Sequence, residues 1–258
     1  MNTEKIEKMS GHWLLAKLGK KVLRPGGVTL TQKMLSMLNI TSNDDVVEFA
    51  PGLGFTAQMS INRRPKSYIG IDADKNSVNY LSKKFEKSNT VFKLGNAAQS
   101  LLPEQSADKV YGEAMLSMHA NHRKAELIRE AYRILKPQGY YAIHELTLKP
   151  DDLDENVKLY IQKELALAIK VNARPLTISE WTELLEKEGF KVLRTETAPM
   201  HLLEPQRIIN DEGIWGSITI AKNILLHPAM RKRVLKMKSI FKKYEKNMGA
   251  VTIIARKE

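Results

Sequence analysis

Short apolar runs recur along this chain, separated by stretches whose apolar residues are spaced for helices. The runs at 46–49, 67–71, 91–94, 140–144, 191–197 and 251–255 read as strands, bounded by glycine, proline, asparagine or aspartate. The stretch 31–38 before the first of them, and 55–62, 75–87, 123–135 and 175–188 between the others, carry helical periodicity. With one more strand, the fourth in order, opening the stretch 106–119, such alternation predicts an α/β fold with a seven-stranded, mostly parallel sheet and helices on both faces, Rossmann-like in layout. Two further segments are basic and amphipathic. Residues 1–24 set Trp13, Leu14, Leu18 and Val22 among Lys17, Lys20, Lys21 and Arg24, and Pro25-Gly26-Gly27 ends that helix. Residues 231–244 belong to a stripe of Met230, Val234, Met237, Phe241 and Tyr244 surrounded by lysine and arginine. That stripe suits packing on the domain, and it suits an anionic membrane surface.

At 258 residues, 43% hydrophobic and 27% charged, the chain fits one globular domain with embellishments. The expected division is an N-terminal helical cap (1–39), a core (40–205), a helical lid inserted before the last strand (206–247) and that strand (248–258). Cysteine is absent, which excludes disulfides, thiolate metal sites and a cysteine nucleophile, and fits a reducing cytoplasm. No apolar run approaches the roughly 20 residues of a membrane span, and no signal-peptide core opens the chain. The expectation is a cytoplasmic protein, soluble or peripheral at a membrane. A net charge of +12 points to an anionic partner or surface. No zinc-finger or RRM signature accompanies it, so no specific nucleic acid is expected, and no histidine or carboxylate spacing suggests a metal.

The most informative stretch is Asp-Val-Val-Glu-Phe-Ala-Pro-Gly-Leu-Gly-Phe-Thr-Ala at 45–57, a strand, a glycine turn and a helix start. Gly52 and Gly54 carry no Cβ, so the backbone there can approach a ligand closely. Two cofactor classes use such a device. Gly52-Leu53-Gly54-Phe55-Thr56-Ala57 spells the dinucleotide fingerprint, and Asp72 lies at the distance of a ribose-binding acid. The alternative is carried by Glu48-Phe49-Ala50-Pro51-Gly52-Leu53-Gly54, which resembles the E/D-x-G-x-G-x-G signature of class I S-adenosylmethionine-dependent methyltransferases. The chain departs from it at Ala50, where that family usually has its first glycine. Arg133-Ile134-Leu135-Lys136-Pro137-Gln138-Gly139 is similar to the family's R-V-L-K-P-G-G helix ending, with Gln138 in place of one glycine. The resemblance covers roughly residues 40 to 200.

It implies S-adenosylmethionine as cofactor, with S-adenosylhomocysteine as product. Glu48 would hold the cationic amino-acid end beside the turn of Ala50, Pro51, Gly52 and Gly54. Asp72 with Ala73 would take the ribose. Asn96 with Ala97 would stand by the adenine, where the family often has aspartate, and Glu113 belongs to a Glu-Ala pair after the fourth strand. Methyl transfer is an in-line displacement, so orientation dominates and a base need only remove a proton from the acceptor. Strand ends place His119, His144 and Glu145 near the reacting position, with His122 a further candidate. The Asn/Asp-Pro-Pro run of nucleic-acid amine methyltransferases is missing, so the acceptor is expected to be a small molecule, apolar or lipid-like. Weak contact with an anionic membrane is the second expected partnership. A nicotinamide-dependent oxidoreductase and a non-catalytic S-adenosylmethionine-binding module remain the alternatives.

Overall fold

The computed structural model describes residues 3–85 and 89–258. Its strands are β1 (Asp45–Phe49), β2 (Ser67–Asp72), β3 (Thr90–Leu94), β4 (Ala107–Glu113), β5 (Leu135–Leu148), β6 (Leu176–Thr177), β7 (Phe190–Pro199) and β8 (Met248–Lys257). They form one sheet in the order β3-β2-β1-β4-β5-β8-β7, with the two-residue β6 paired to the end of β5. All pairings are parallel except those of β8, which runs antiparallel between β5 and β7. Val46, Val47, Glu48 and Phe49 are all buried, as a central parallel strand covered on both faces requires.

The helices are α1 (Thr3–Lys8), α2 (Gly11–Lys17), α3 (Gly27–Leu38), α4 (Phe55–Ile61), α5 (Lys75–Lys84), α6 (Asn121–Ile134), α7 (Glu155–Ile169), α8 (Ile178–Lys187), α9 (Pro205–Leu226) and α10 (Pro228–Lys243). One sheet face buries Phe49, Val110, Ile128 and Trp181, and the other buries Met34, Val46, Tyr68 and Leu81. A third cluster lies beyond the strand ends. There Leu14, Leu15 and Leu18 pack with Leu165 of α7 and with Met230, Val234 and Met237 of α10. Burying each such side chain contributes roughly 1.5–3 kcal/mol, so the stripe of α10 goes to the domain rather than to a lipid surface.

Three expectations change. The helix over 1–24, whose first two residues lie outside the described ones, is two short helices followed by an irregular strap. Ser10 stands extended before α2, and Gly19 takes a φ of +103°. Lys20 is buried against Asp211 and Glu212 instead of facing water. The helix expected over 75–87 is seen to Lys84, and 86–88 lie outside the described residues. The fifth strand runs on to Leu148, well past the expected end at His144. Its extension is paired all along by β8, from Tyr140 opposite Arg256 to Leu148 opposite Met248. Among the described residues, no helix is long and apolar enough to cross a membrane.

Candidate active site

The strand order reverses between β1 and its neighbours β2 and β4, and a crevice opens beyond the strand ends at such a point. Here it is a cleft of about 710 Å³. It is lined by Glu48, Ala50, Pro51, Gly52, Asp72, Ala73 and Glu113 from the strand ends and their loops, by Trp13 of α2, and by Lys21, Leu23 and Arg24 of the N-terminal strap.

The glycine turn is made of three left-handed residues, Ala50 (φ 55°), Gly52 (φ 56°) and Gly54 (φ 74°). Ala50 therefore adopts the conformation that glycine takes without strain, at a cost of roughly 1–2 kcal/mol. Asp72 braces the turn: its carboxylate accepts from Gly52 N at 2.9 Å and from Asp74 N at 2.9 Å. Asp74, not Asp72, caps α5. The two glycines do different jobs. A Cβ on Gly52 would meet only the Ala50 carbonyl, at 3.9 Å, so that face is open to a ligand. A Cβ on Gly54 would stand 2.2 Å from Leu81 Cδ2, so Gly54 permits α4 to pack on α5 and does not line the cleft.

Two buried acids sit side by side with opposite electrostatics. Burial pushes the Glu48 carboxyl up to about 7, although the hydroxyls of Tyr68 and Tyr111 donate to it. Burial pushes Glu113 up as well, but the Arg24 guanidinium, His144 and Thr56 outweigh it and hold that carboxyl at about 2. Glu113 also accepts from Thr31 Oγ1 at 2.7 Å, and Arg24 Nη1 lies 3.3 Å from it. Arg24 reaches over the Phe55 ring and keeps its Nε and second Nη without a partner among the described residues. Ser77 Oγ, on the cleft wall, is likewise unpartnered.

These groups have the chemistry to hold the amino-acid end and the ribose of S-adenosylmethionine. The orphaned Arg24 donors suit its carboxylate, and Glu48 suits its ammonium group, whose positive charge would draw the carboxyl into its ionised form. Asp72 retains acceptor capacity on both oxygens for ribose hydroxyls.

The other predicted residues are placed differently. Asn96 and Ala97 do not line the cleft, and the Asn96 side-chain Oδ1 accepts from Arg123 Nη2 at 2.6 Å and from Ala98 N at 3.0 Å. His144 and Glu145 lie inside β5, not at its end, and both are fully buried. His144 faces Glu113 through Nδ1 (2.7 Å) and the Pro25 carbonyl through Nε2 (2.6 Å), so both ring nitrogens are occupied with oxygen partners. Glu145 accepts from the backbone N–H groups of Met115, Leu116 and Ser117, fixing the loop after β4. His119 lines neither this cleft nor the apolar pocket beside it, and His122 is exposed on α6.

The histidine that does reach the cleft is His12, on α2, which sequence reasoning passed over. It lies at the junction of the cleft with the narrow apolar pocket, together with Leu23, Ala114 and Met118. Surrounding protein lowers its pKa by desolvation, while its ring stays reachable through the cleft. Only its position next to Trp13, in the segment expected as an N-terminal helical cap, hinted at this role. Arg24 and Thr56 were also missed as site residues.

Comparison with known proteins agrees with this geometry. Residues 47–143 match the family described as Methyltransferase domain. The chain is 30% identical to an uncharacterised protein of Haemophilus influenzae over 252 residues, covering 96% of this chain and 98% of that one. It is 25% identical over 176 residues to phosphoethanolamine N-methyltransferase of Plasmodium falciparum, covering 67% of this chain and 63% of that enzyme. Among solved structures it resembles Haemonchus contortus phosphoethanolamine N-methyltransferase 2 in complex with phosphomonomethylethanolamine and S-adenosylhomocysteine, at a TM-score of 0.72 and 18% identity. That likeness spans 96% of this chain and 57% of the other. Neither a nicotinamide-dependent reductase nor a non-catalytic binding module is favoured by these matches. The chain belongs to the class I S-adenosylmethionine-dependent methyltransferases and uses S-adenosylmethionine as its cofactor.

Proposed function

We propose that the chain methylates a small molecule with an apolar group, presenting the accepting atom beside His12. The observation that carries this reading is the pocket next to the cleft. It is a narrow cavity of about 60 Å³ lined by Leu15, Leu23, Met118, Leu146, Met237 and Phe241, and it opens onto His12. Methionines adapt to irregular apolar shapes, so such a wall can fit an apolar group closely and exclude water around it. S-adenosylmethionine, when bound, supplies the activated methyl group. Glu48, Gly52, Asp72, Glu113 and Arg24 would hold it. The lowered pKa of His12 keeps the ring neutral near pH 7, free to accept the proton an acceptor must lose.

The test uses the His12→Gln variant, methyl-labelled S-adenosylmethionine and a metabolite extract, with products read by mass spectrometry. Cofactor binding by calorimetry should be unchanged while label transfer drops roughly 10²-fold or more, the usual worth of a positioned base. Filling the pocket with Leu146→Trp should also suppress transfer with cofactor binding retained. Wild-type transfer rates in both variants, or labelled products without any apolar group, would overturn the reading.

A further inference from the structure

The stripe of α10 is buried, so the basic run it carries has lost the apolar surface that would accompany it on a membrane. That surface reappears on α9. Ile214, Trp215, Ile218, Leu225 and Leu226 are all exposed, Trp215 to 82%. At about 100° per residue these five positions and Lys222 fall on one face of the helix. The opposite face is tied down. Ile220 is buried and Asn223 Nδ2 donates to the Leu18 carbonyl at 3.0 Å, while just before the break in α9 at Gly213, Glu212 accepts from the backbone N–H groups of Lys21 and Val22. The apolar face thus points outward from a helix anchored to the body.

Its electrostatic setting is one-sided. Residues 213–244 contain eight lysines and arginines and no aspartate or glutamate. Arg233 is buried and donates to backbone carbonyls, while Lys238 and Lys243 reach Glu204 and Glu164. Lys222, Arg231, Lys232, Lys236 and Lys242 are exposed and have no ion-pair partner among the described residues. Leu235, also exposed, lies among them.

We propose that the outer face of α9, with the basic start of α10, docks this protein on an anionic phospholipid surface. Exposed tryptophan and leucine beside unpaired lysines match the two layers of such a surface, acyl boundary and headgroup phosphate. A second copy of the chain is the weaker occupant, because two such faces would bring like charge together on molecules already at +12. The docking is independent of the acceptor's identity.

The full-length protein would be sedimented with vesicles of phosphatidylglycerol and phosphatidylcholine, and with phosphatidylcholine alone, at low and high salt. Binding should be selective for the anionic vesicles, weaken with salt, and shift tryptophan emission to the blue. Trp215→Phe should still sediment but lose the shift, since Trp181 is already buried and Trp13 lies in the cleft wall. Joint replacement Trp215→Ser, Leu225→Ser and Leu226→Ser should reduce partitioning at least about tenfold. Lys232→Glu with Lys236→Glu should reduce it about fivefold per charge at low salt. Equal binding to both vesicle types, wild-type binding by the serine variant, or a dimer in light scattering that the serine variant dissolves would each overturn the proposal.

Discussion

Glu48→Gln should gain stability relative to the wild-type protein, both free of cofactor, as the pH rises, even though Glu48 faces the cofactor cleft. The Glu48 carboxyl is only 3% exposed, and its pKa is raised from an ordinary 4.5 to about 7. Between those values the folded protein holds a proton that the unfolded chain has released. Folded stability therefore falls as pH rises through this window, by about 1.36 kcal/mol per pH unit, or roughly 3 kcal/mol in all. Glutamine does not titrate, so the variant escapes that loss. It also leaves an amide N–H₂ in place of a carboxyl, a cost of about 1–3 kcal/mol that does not vary with pH. The informative quantity is thus the slope, not the offset. Thermal melts of both proteins without S-adenosylmethionine should show a Tm difference that moves in the variant's favour by roughly 6 °C or more between about pH 5 and pH 8. Tyr68 and Tyr111 can still donate to the glutamine carbonyl, so the local fold should survive. A Tm difference flat across that range would mean that the folded protein does not hold a proton on Glu48 that the unfolded chain releases. Calorimetry on the same variant should show weaker cofactor binding, because the charge that meets the ammonium group is gone.

Glu113 should behave in the opposite sense. Its pKa is held at about 2, so its stabilisation is present above about 4.5 and lost as pH falls through the folded value, and Glu113→Gln should flatten the acid limb of a stability–pH curve by about 3 kcal/mol. Gly54→Ala should destabilise the protein by about 2–4 kcal/mol in urea denaturation, combining left-handed strain with the clash against Leu81. Removing the orphaned donors with Arg24→Met should weaken S-adenosylmethionine binding by about 1.5–3 kcal/mol in calorimetry, and unchanged affinity would assign Arg24 to Glu113 alone.

The features legible in the order of residues are local. The glycine turn at 50–54, the acid at the end of β2 and the strand–helix alternation are written in consecutive residues, because turn chemistry and periodicity act over a few positions. They were enough for the fold class and for a nucleoside cofactor, while the cofactor's identity and the enzyme family came from the resemblance that 48–54 and 133–139 carry. Whatever depends on a residue from far along the chain came from long-range packing. β5 continues to Leu148 because β8, more than a hundred residues later, pairs with it, and that extension buries His144 and Glu145 inside a strand. Gly54 serves α5 rather than a ligand, since Leu81 occupies the space its side chain would need. Lys20 points inward because Asp211 and Glu212 of α9 lie there to meet it. The same docking of α2 and its strap against α7, α9 and α10 brings His12, Trp13 and Arg24 over the strand ends. Local patterns specify which face of a helix is apolar, but the partner that covers it is set by contacts distant in sequence. That is why the stripe of α10 reads equally as core or membrane face until the third cluster is seen to bury it, leaving the apolar face of α9 exposed in its place.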